Sequence, residues 1–588
     1  MHAGDERAAH PEDTVNTEKM TLKDLLEATA GRYPDRTALS FVGGDPITYA
    51  RFVDLAHDVA TMLVANNVNP GDKVAIIGEN MPNWAITYFA IVSLGAIAVP
   101  ILQEFHISAV HHILRHSEAK VVIASNRYMH KVDEGTFPSL KAVVVMDDFS
   151  IVNEDKVRTN FEEAVEMGRE RLGKFGEAAR RFIDRKSGKG EKGDRSESGL
   201  TSDSVAAILY TSGTTGHSKG VVLTHGNLVA NVVAGVAAIP IFETDRFLSV
   251  LPMAHTYECT VGLLVPVYCG ASVHYLKKPP TPKTLLPAME QVKPTVMNVV
   301  PLIIEKIYKS RIKPKLSGKG VMGGLMKIGV ARRKVSRIAG RKLIEAFGGS
   351  LRCMCIGGAA LSPEVERFLS EGEVPYAIGY GMTETSPLLA GAPPDRQRLR
   401  AIGPALPGVQ LKIENPDPVT GEGEVYAKGP NVMREYYKAP KDTEDTFSED
   451  GWLKTGDLGL IDADGYLFIK GRLKNVIIGP SGENIYPEEV ESFINACDFV
   501  MESMVYEAGG KVSARIYLNY DALDDEFGVK KMTESEVRAK VQGILEDVRQ
   551  EVNGKVSTFA RLARVVEQVE PFEKTPTQKI KRFIYLDN

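Results

Sequence analysis

Residues 211–220 read TSGTTGHSKG. Gly213, Gly216 and Gly220 let the backbone approach a ligand closely and permit positive φ. Thr211, Ser212, Thr214 and Thr215 add hydroxyl donors and Lys219 adds a cation, the groups that cradle a phosphate. The stretch is not a Walker A loop, because Lys219 is followed by Gly220 where that motif needs Ser or Thr. On these residues alone a solvated Ser/Thr/Gly turn is an equal reading.

Other stretches carry complementary chemistry. GYGMTETSP (379–387) places the Tyr380 ring, the Thr383 hydroxyl and the Glu384 carboxylate after an apolar strand, with Gly379 and Gly381 around the ring. WLKTGDLG (452–459) offers Asp457 in a glycine turn, suited to accept two hydrogen bonds from a ribose diol. GRLKN (471–475) supplies Arg472 and Lys474, EKTPTQKIKR (573–582) supplies Lys579, and LPMAHTYE (251–258) supplies His255. Each taken singly reads equally as a turn, a solvated charge or a core histidine. In this order they form a set.

Such groups need elements to aim them. Short apolar strands lead into glycine turns and then helices, as in VAAILYTSGTTG and LRCMCIGGAALSPEVERFL. In the second, Ser362 suits an N-cap, Pro363 the first helical position and Glu364 the positive end of the helix dipole. Val365, Phe368 and Leu369 mark one apolar face. Alternating strands and helices predict an α/β fold of parallel sheets with ligand loops at the strand ends.

With 588 residues the chain exceeds one core, and its 43% hydrophobic and 25% charged content is that of a globular protein. A net charge of −5 argues against nucleic acid as a partner. Cys259, Cys269, Cys353, Cys355 and Cys497 form no C-x-x-C pair and read as buried, reduced thiols of a cytoplasmic protein. Residues 1–20 read as a disordered tail without a signal peptide, and 184–199 as a solvated insertion. The uncharged run 84–102 approaches the length of a membrane span, but Gly95 and Pro100 interrupt it; a buried helix leading into a buried parallel strand is predicted instead. Residues 306–342 hold thirteen Lys or Arg and no Asp or Glu. A solvated helical surface, a contact with anionic lipid and a site for CoA phosphates are the readings for that segment.

As a set, YTSGTTGHSKG, YGMTET, TGD and GR resemble the adenylate-forming superfamily of acyl-CoA synthetases, firefly luciferases and peptide-synthetase adenylation domains, from Leu22 onward. LPMAHTYE, GGAALSPE and GENIYPEEVE make the chain most similar to bacterial long-chain fatty acid–CoA ligases. The resemblance implies a large N-terminal domain (21–471) of parallel and mixed sheets with a small β-barrel-like subdomain, and a small mobile α+β C-terminal domain (472–588). It implies ATP, Mg²⁺ and CoA, and two half-reactions: a carboxylate attacks the α-phosphate to give acyl-AMP and pyrophosphate, then a thiol displaces AMP. Thr211 to Lys219 would hold the outer phosphates. Tyr380 would stack on adenine opposite Gly357, Gly358 and Ala359. Thr383 would bond the α-phosphate, Glu384 would hold Mg²⁺, and Asp457 with Arg472 the ribose. His255 would lie near the acyl carboxylate and Lys579 between carboxylate and α-phosphate. Lys474 would be the hinge, and Gly482 would face the CoA pantetheine. Ser218 and Gln578 depart from the proline and glycine that many relatives carry there. A carrier-protein thiol in place of CoA stays open, as do medium-chain, branched and aryl acids.

Overall fold

The computed structural model describes residues 17–133, 137–152, 158–174, 199–211, 218–316, 329–479, 483–575 and 579–586. The tail 1–16, most of the insertion 184–199, Ser212 to Gly216, residues 317–328, Gly482 and Gln578 lie outside the described residues.

Two large sheets dominate. One runs in the order Glu435–Tyr436, Lys219–Thr224, Val205–Thr211, Ile97–Pro100, Lys73–Ile77, Val121–Ala124, Ala142–Val145, Ile151–Val152, Arg158–Thr159. Its centre is parallel and its edges antiparallel. Val121–Ala124 is buried throughout, the continuous apolar run expected of a strand covered on both faces. The other sheet runs Leu388–Gly391, Tyr376–Gly381, Cys353–Ile356, Val296–Val299, Arg246–Ser249, Ser272–Tyr275, Thr37–Phe41, Ile47–Thr48 and is likewise parallel at its centre.

The run 84–102 forms helix Pro82–Ser93, with proline in its first turn, and then strand Ile97–Pro100. Gly95, at φ +78, makes the turn between them. Trp84, Ile86, Phe89 and Val99 are all fully buried in the principal core, so the apolar run is core. Among the described residues no helix is long and apolar enough to cross a membrane.

A four-stranded antiparallel sheet follows: Gln410–Glu414, Gly423–Lys428, Leu453–Ile461 and Leu467–Arg472. Beyond it, helices Pro487–Ala496 and Glu534–Asn553 pack on the sheet Val500–Ala508, Lys511–Leu518, Arg564–Glu567 around a separate core that includes Ile494, Ile516 and Val552. Thr533 and Glu536 form a reciprocal capping box at the start of the long helix, satisfying donors that would otherwise lack partners.

Two local expectations are corrected. Strand Val205–Thr211 does not feed a helix directly: it pairs antiparallel with Lys219–Thr224, Thr211 opposite Lys219, and only then does helix His225–Ala238 begin. Ser362 does occupy the N-cap of helix Pro363–Glu371, but its side chain makes no capping bond. The Ser362 backbone N–H instead donates to Glu305 Oε1 at 2.8 Å.

Candidate active site

Strands Cys353–Ile356 and Tyr376–Gly381 run parallel, Ile356 opposite Ile378. Gly357, Gly358 and Ala359 therefore leave one strand beside Gly379, Tyr380 and Gly381 on the next, at the carboxyl edge where open α/β sheets bind ligands. Gly358 has φ +86, where a side chain would be strained. A Cβ on Gly357 would meet the Tyr257 ring at 3.3 Å, and the Tyr257 hydroxyl donates to the Cys355 carbonyl at 2.9 Å.

Thr383 and Glu384 follow in the tight turn Thr383–Thr385. Asn231 and Asn431 brace that turn: each donates its side-chain amide to the carbonyls of both Thr385 and Leu388, at 2.7–3.3 Å. Gly381 is obligatory for a steric reason, since a Cβ there would lie 1.8 Å from the Pro387 carbonyl oxygen. Gly381→Ala is expected to cost about 3 kcal/mol or more, the scale of overpacking that displaces backbone. A thermal unfolding midpoint unchanged in that variant would contradict the close approach.

Asp457 lies within strand Leu453–Ile461 and not in a turn, a further correction to the sequence reading; Gly456, at φ +70, kinks the strand before it. Asp457 stands opposite Arg472. Arg472 Nε meets its Oδ1 at 2.7 Å, and the Tyr380 hydroxyl donates to its Oδ2 at 2.7 Å. Burial raises the Asp457 pKa, and Arg472 and the Tyr380 hydroxyl offset part of that rise.

Glu384 is buried, and its Oε1 accepts a hydrogen bond from the Tyr436 hydroxyl at 2.7 Å. Its carboxylate is a hard oxygen donor suited to Mg²⁺, which is typically held by one or two protein carboxylates together with substrate phosphates. That mode fits a site where, among the described residues, no group of three or more His, Cys, Asp or Glu gathers. Lys219 pairs with Asp442 at 2.6 Å.

Lys579 lies near the C-terminus, where the Thr575 N–H donates to the Lys579 carbonyl at 2.7 Å and Lys574 pairs antiparallel with Ile580. The residue keeps contact with solvent, yet the protein around it lowers its pKa. Burial is the first cause and Arg472 the second, while Asp457 and Glu384 pull the other way. His255 is pushed down to about 4 by burial and then by the charge of Lys579, so its imidazole is neutral at physiological pH. Five residues from distant segments thus share one electrostatic neighbourhood: Lys579, Glu384, Asp457, Arg472 and His255. Lys474 lies in the turn Leu473–Asn475, its pKa lowered by the surrounding protein's partial burial of its ammonium, then by Arg472 and Lys579.

Glu258 escaped the sequence reading. It is buried under the site, accepting hydrogen bonds from Ser249 Oγ at 2.6 Å and Asn298 Nδ2 at 3.0 Å. Burial raises its pKa to about 7 despite those bonds. The folded state then holds a proton that the unfolded state releases at a lower pH. Stability from this group is therefore present below the unfolded carboxyl pKa, falls as pH rises toward 7, and is flat above. Gln cannot titrate, so Glu258→Gln is expected to gain on wild type by on the order of 3 kcal/mol between pH 5 and 8. Asn298 Oδ1 has no partner in its present orientation, and turning that amide would let it accept from the new Gln. Parallel pH profiles of unfolding for the two proteins would contradict this.

The sequence pattern of AMP-binding enzymes matches residues 26–437. The peroxisomal long chain acyl-CoA synthetase 6 of Arabidopsis thaliana is 29% identical over 88% of this chain and 77% of its own length. The long-chain-fatty-acid–CoA ligase FadD15 of Mycobacterium bovis is 28% identical over 91% and 90%. ATP-bound MatB from Rhodopseudomonas palustris superposes with a TM-score of 0.71 at 25% identity, covering 96% of this chain and 98% of that one. The match of the family pattern to most of the chain, on top of the constellation at the sheet edge, places this protein in the AMP-binding enzyme family.

Proposed function

We propose that the chain is an ATP-dependent fatty acid–CoA ligase that works through an acyl-AMP intermediate. What supports this reading is that Tyr380, at the carboxyl end of its strand, bonds Asp457, which pairs with Arg472, and that Lys579 feels the charges of Arg472, Asp457 and Glu384 and acts on His255. Bringing a carboxylate onto a triphosphate joins two anions, so the main task is placing positive charge where negative charge develops. Lys579 supplies an ammonium between the carboxylate and the α-phosphate, and Thr383 donates to the α-phosphate. Lys219 exchanges Asp442 for the outer phosphates. Tyr380 and Gly357 to Ala359 flank adenine, and Asp457, steadied by Arg472, accepts from the ribose. Glu384, with the phosphates, would hold Mg²⁺, which would supply charge neutralisation at the pyrophosphate. Neutral His255 orients the acyl carboxylate. Beside it, Leu251, Tyr257 and Val261 with Val300 and Ile303 form an apolar cluster suited to the start of an acyl chain. In the second step the CoA thiolate attacks the acyl carbonyl and AMP leaves. The C-terminal unit from Arg472 onward turns about Lys474 between the two steps.

Pyrophosphate release with Mg-ATP across straight-chain acids from acetate to stearate, and aryl acids, tests the reading. It predicts a maximum between laurate and stearate, with acyl-CoA formed when CoA is present. Pyrophosphate without acyl-CoA would point to a carrier-protein thiol, and no release on any acid would overturn the reading.

The basic segment also favours a peripheral membrane contact. Arg333, Lys334, Arg341 and Lys342 are exposed along helix Gly329–Ala346, on the same side as exposed Val330 and Ile338. Arg332 and Arg337 are instead paired with Glu371 and Glu373. At roughly 1 kcal/mol per basic residue near an anionic surface, reversing the four exposed charges is expected to abolish flotation with phosphatidylserine vesicles. Equal flotation of wild type and variant would contradict the contact.

A further inference from the structure

Two lysines of the basic segment face inward across the molecule. Helix Pro487–Ala496, in the C-terminal unit, ends in carbonyls that have no partner within the helix. Lys309 Nζ donates to the carbonyls of Asn495 and Val500, the latter at 3.3 Å. Lys313 Nζ donates to the Ala496 carbonyl at 2.9 Å and pairs with Asp498 at 3.1 Å. Glu364, 3.7 Å from the same ammonium and bonded by the Tyr308 hydroxyl at 3.1 Å, ties Lys313 back to the N-terminal side. Cations at a helix C-terminus also complement its dipole.

That helix continues to Lys579 by direct contacts. Its Glu491 accepts from Arg582 Nη2 at 2.6 Å, and Arg582 Nη1 donates to the Val505 carbonyl at 3.1 Å. Arg582 is three residues beyond Lys579, so these contacts tie the helix to the segment that carries Lys579. At the opposite end of the helix, the Tyr486 hydroxyl donates to Glu422 at 2.6 Å and Glu489 lies 3.8 Å from Arg400. This second contact is close to the connection at Lys474 and would serve as a pivot. The lysine pair holds the far end of the lever.

We propose that Lys309 and Lys313 are positioning residues for adenylation: they grip the C-terminal end of helix Pro487–Ala496 and so keep Lys579 in the active site. The proposal rests on the role given to Lys579 above. Burial lowers the Lys309 pKa, so its ammonium regains hydration on release, whereas for Lys313 burial is outweighed by Glu364 and Asp498, which raise its pKa. Releasing the grip frees the C-terminal unit to turn, which the thiol step requires and the adenylation step does not.

The test is the double variant Lys309→Met/Lys313→Met, which keeps side-chain length and removes both charges, with Lys309→Arg/Lys313→Arg as the conservative control. Single-turnover acyl-AMP formation is expected to fall about 10-fold or more in the Met variant, the scale of losing charge-assisted hydrogen bonds. KM for ATP and acid should change by no more than about twofold, and CoA-dependent consumption of preformed acyl-AMP should be as fast as in wild type or faster. The Arg control should restore most of the adenylation rate. Nitroxide labels at exposed Lys278 and Asp547 report the orientation independently of chemistry: one narrow distance distribution in wild type, and a broadened or longer one in the Met variant. Equal slowing of both half-reactions, or no change in either, would overturn the proposal. Should the wild type activate no acid, the reading of function fails separately, and an unchanged distance distribution would then overturn the grip.

Discussion

Lys579→Ala is expected to slow acyl-AMP formation by about 10²–10³-fold, the loss typical of removing one preorganised charge from a transition state. Thioester formation from preformed acyl-AMP should survive largely intact, because the thiolate attacks a neutral acyl carbonyl and no carboxylate has to reach the α-phosphate in that step. The structure gives the reason for so large an effect. Burial and then Arg472 disfavour the charge of Lys579, and Asp457 and Glu384 offset only part of this, so its ammonium is poorly matched until an anionic substrate arrives. Substrate binding supplies the missing counter-charge at the reacting centre. Separate rates for the two half-reactions check this, and equal losses in both would remove Lys579 from its assigned role.

Asp457→Ala should have the next largest effect. Both oxygens of this buried carboxylate are engaged, one by Arg472 and one by Tyr380. Removing it leaves a guanidinium and a phenol without their partner in a half-buried site, and breaking one member of a buried pair costs about 3–5 kcal/mol. The same change removes the acceptor for the ribose and loosens the ring beside adenine. Calorimetric titration with AMP is expected to show an affinity loss of at least about 100-fold, equivalent to roughly 3 kcal/mol. AMP binding within a few-fold of wild type would show that the nucleotide sits elsewhere.

Local features were legible where side-chain chemistry and local geometry coincide. Pro363 and Glu364 begin a helix whose Val365, Phe368 and Leu369 are buried, and Gly95 divides the apolar run 84–102 into helix and strand. Glycine spacing alone could not tell a strand–loop–helix from the hairpin formed by Val205–Thr211 and Lys219–Thr224. For the same reason Gly456 suggested a turn where the chain makes a kinked strand.

Partnerships across the fold were not legible, because topology decides them. Tyr436 holds Glu384 from 52 residues away and Asp442 holds Lys219 from 223 residues away. Charge counting read 306–342 as one basic surface. Lys309 and Lys313 are instead drawn inward by the bare carbonyls of a helix 186 and 183 residues further along.

The central claim is that a fatty carboxylate oxygen becomes bonded to the α-phosphorus of ATP. Palmitate labelled with ¹⁸O in its carboxyl group tests this directly in a complete reaction with Mg-ATP and CoA. Mass spectrometry of the recovered AMP should find one ¹⁸O per molecule, carried over when the thiol displaces AMP from acyl-AMP. AMP without the label, or label recovered in inorganic phosphate beside ADP, would contradict the account.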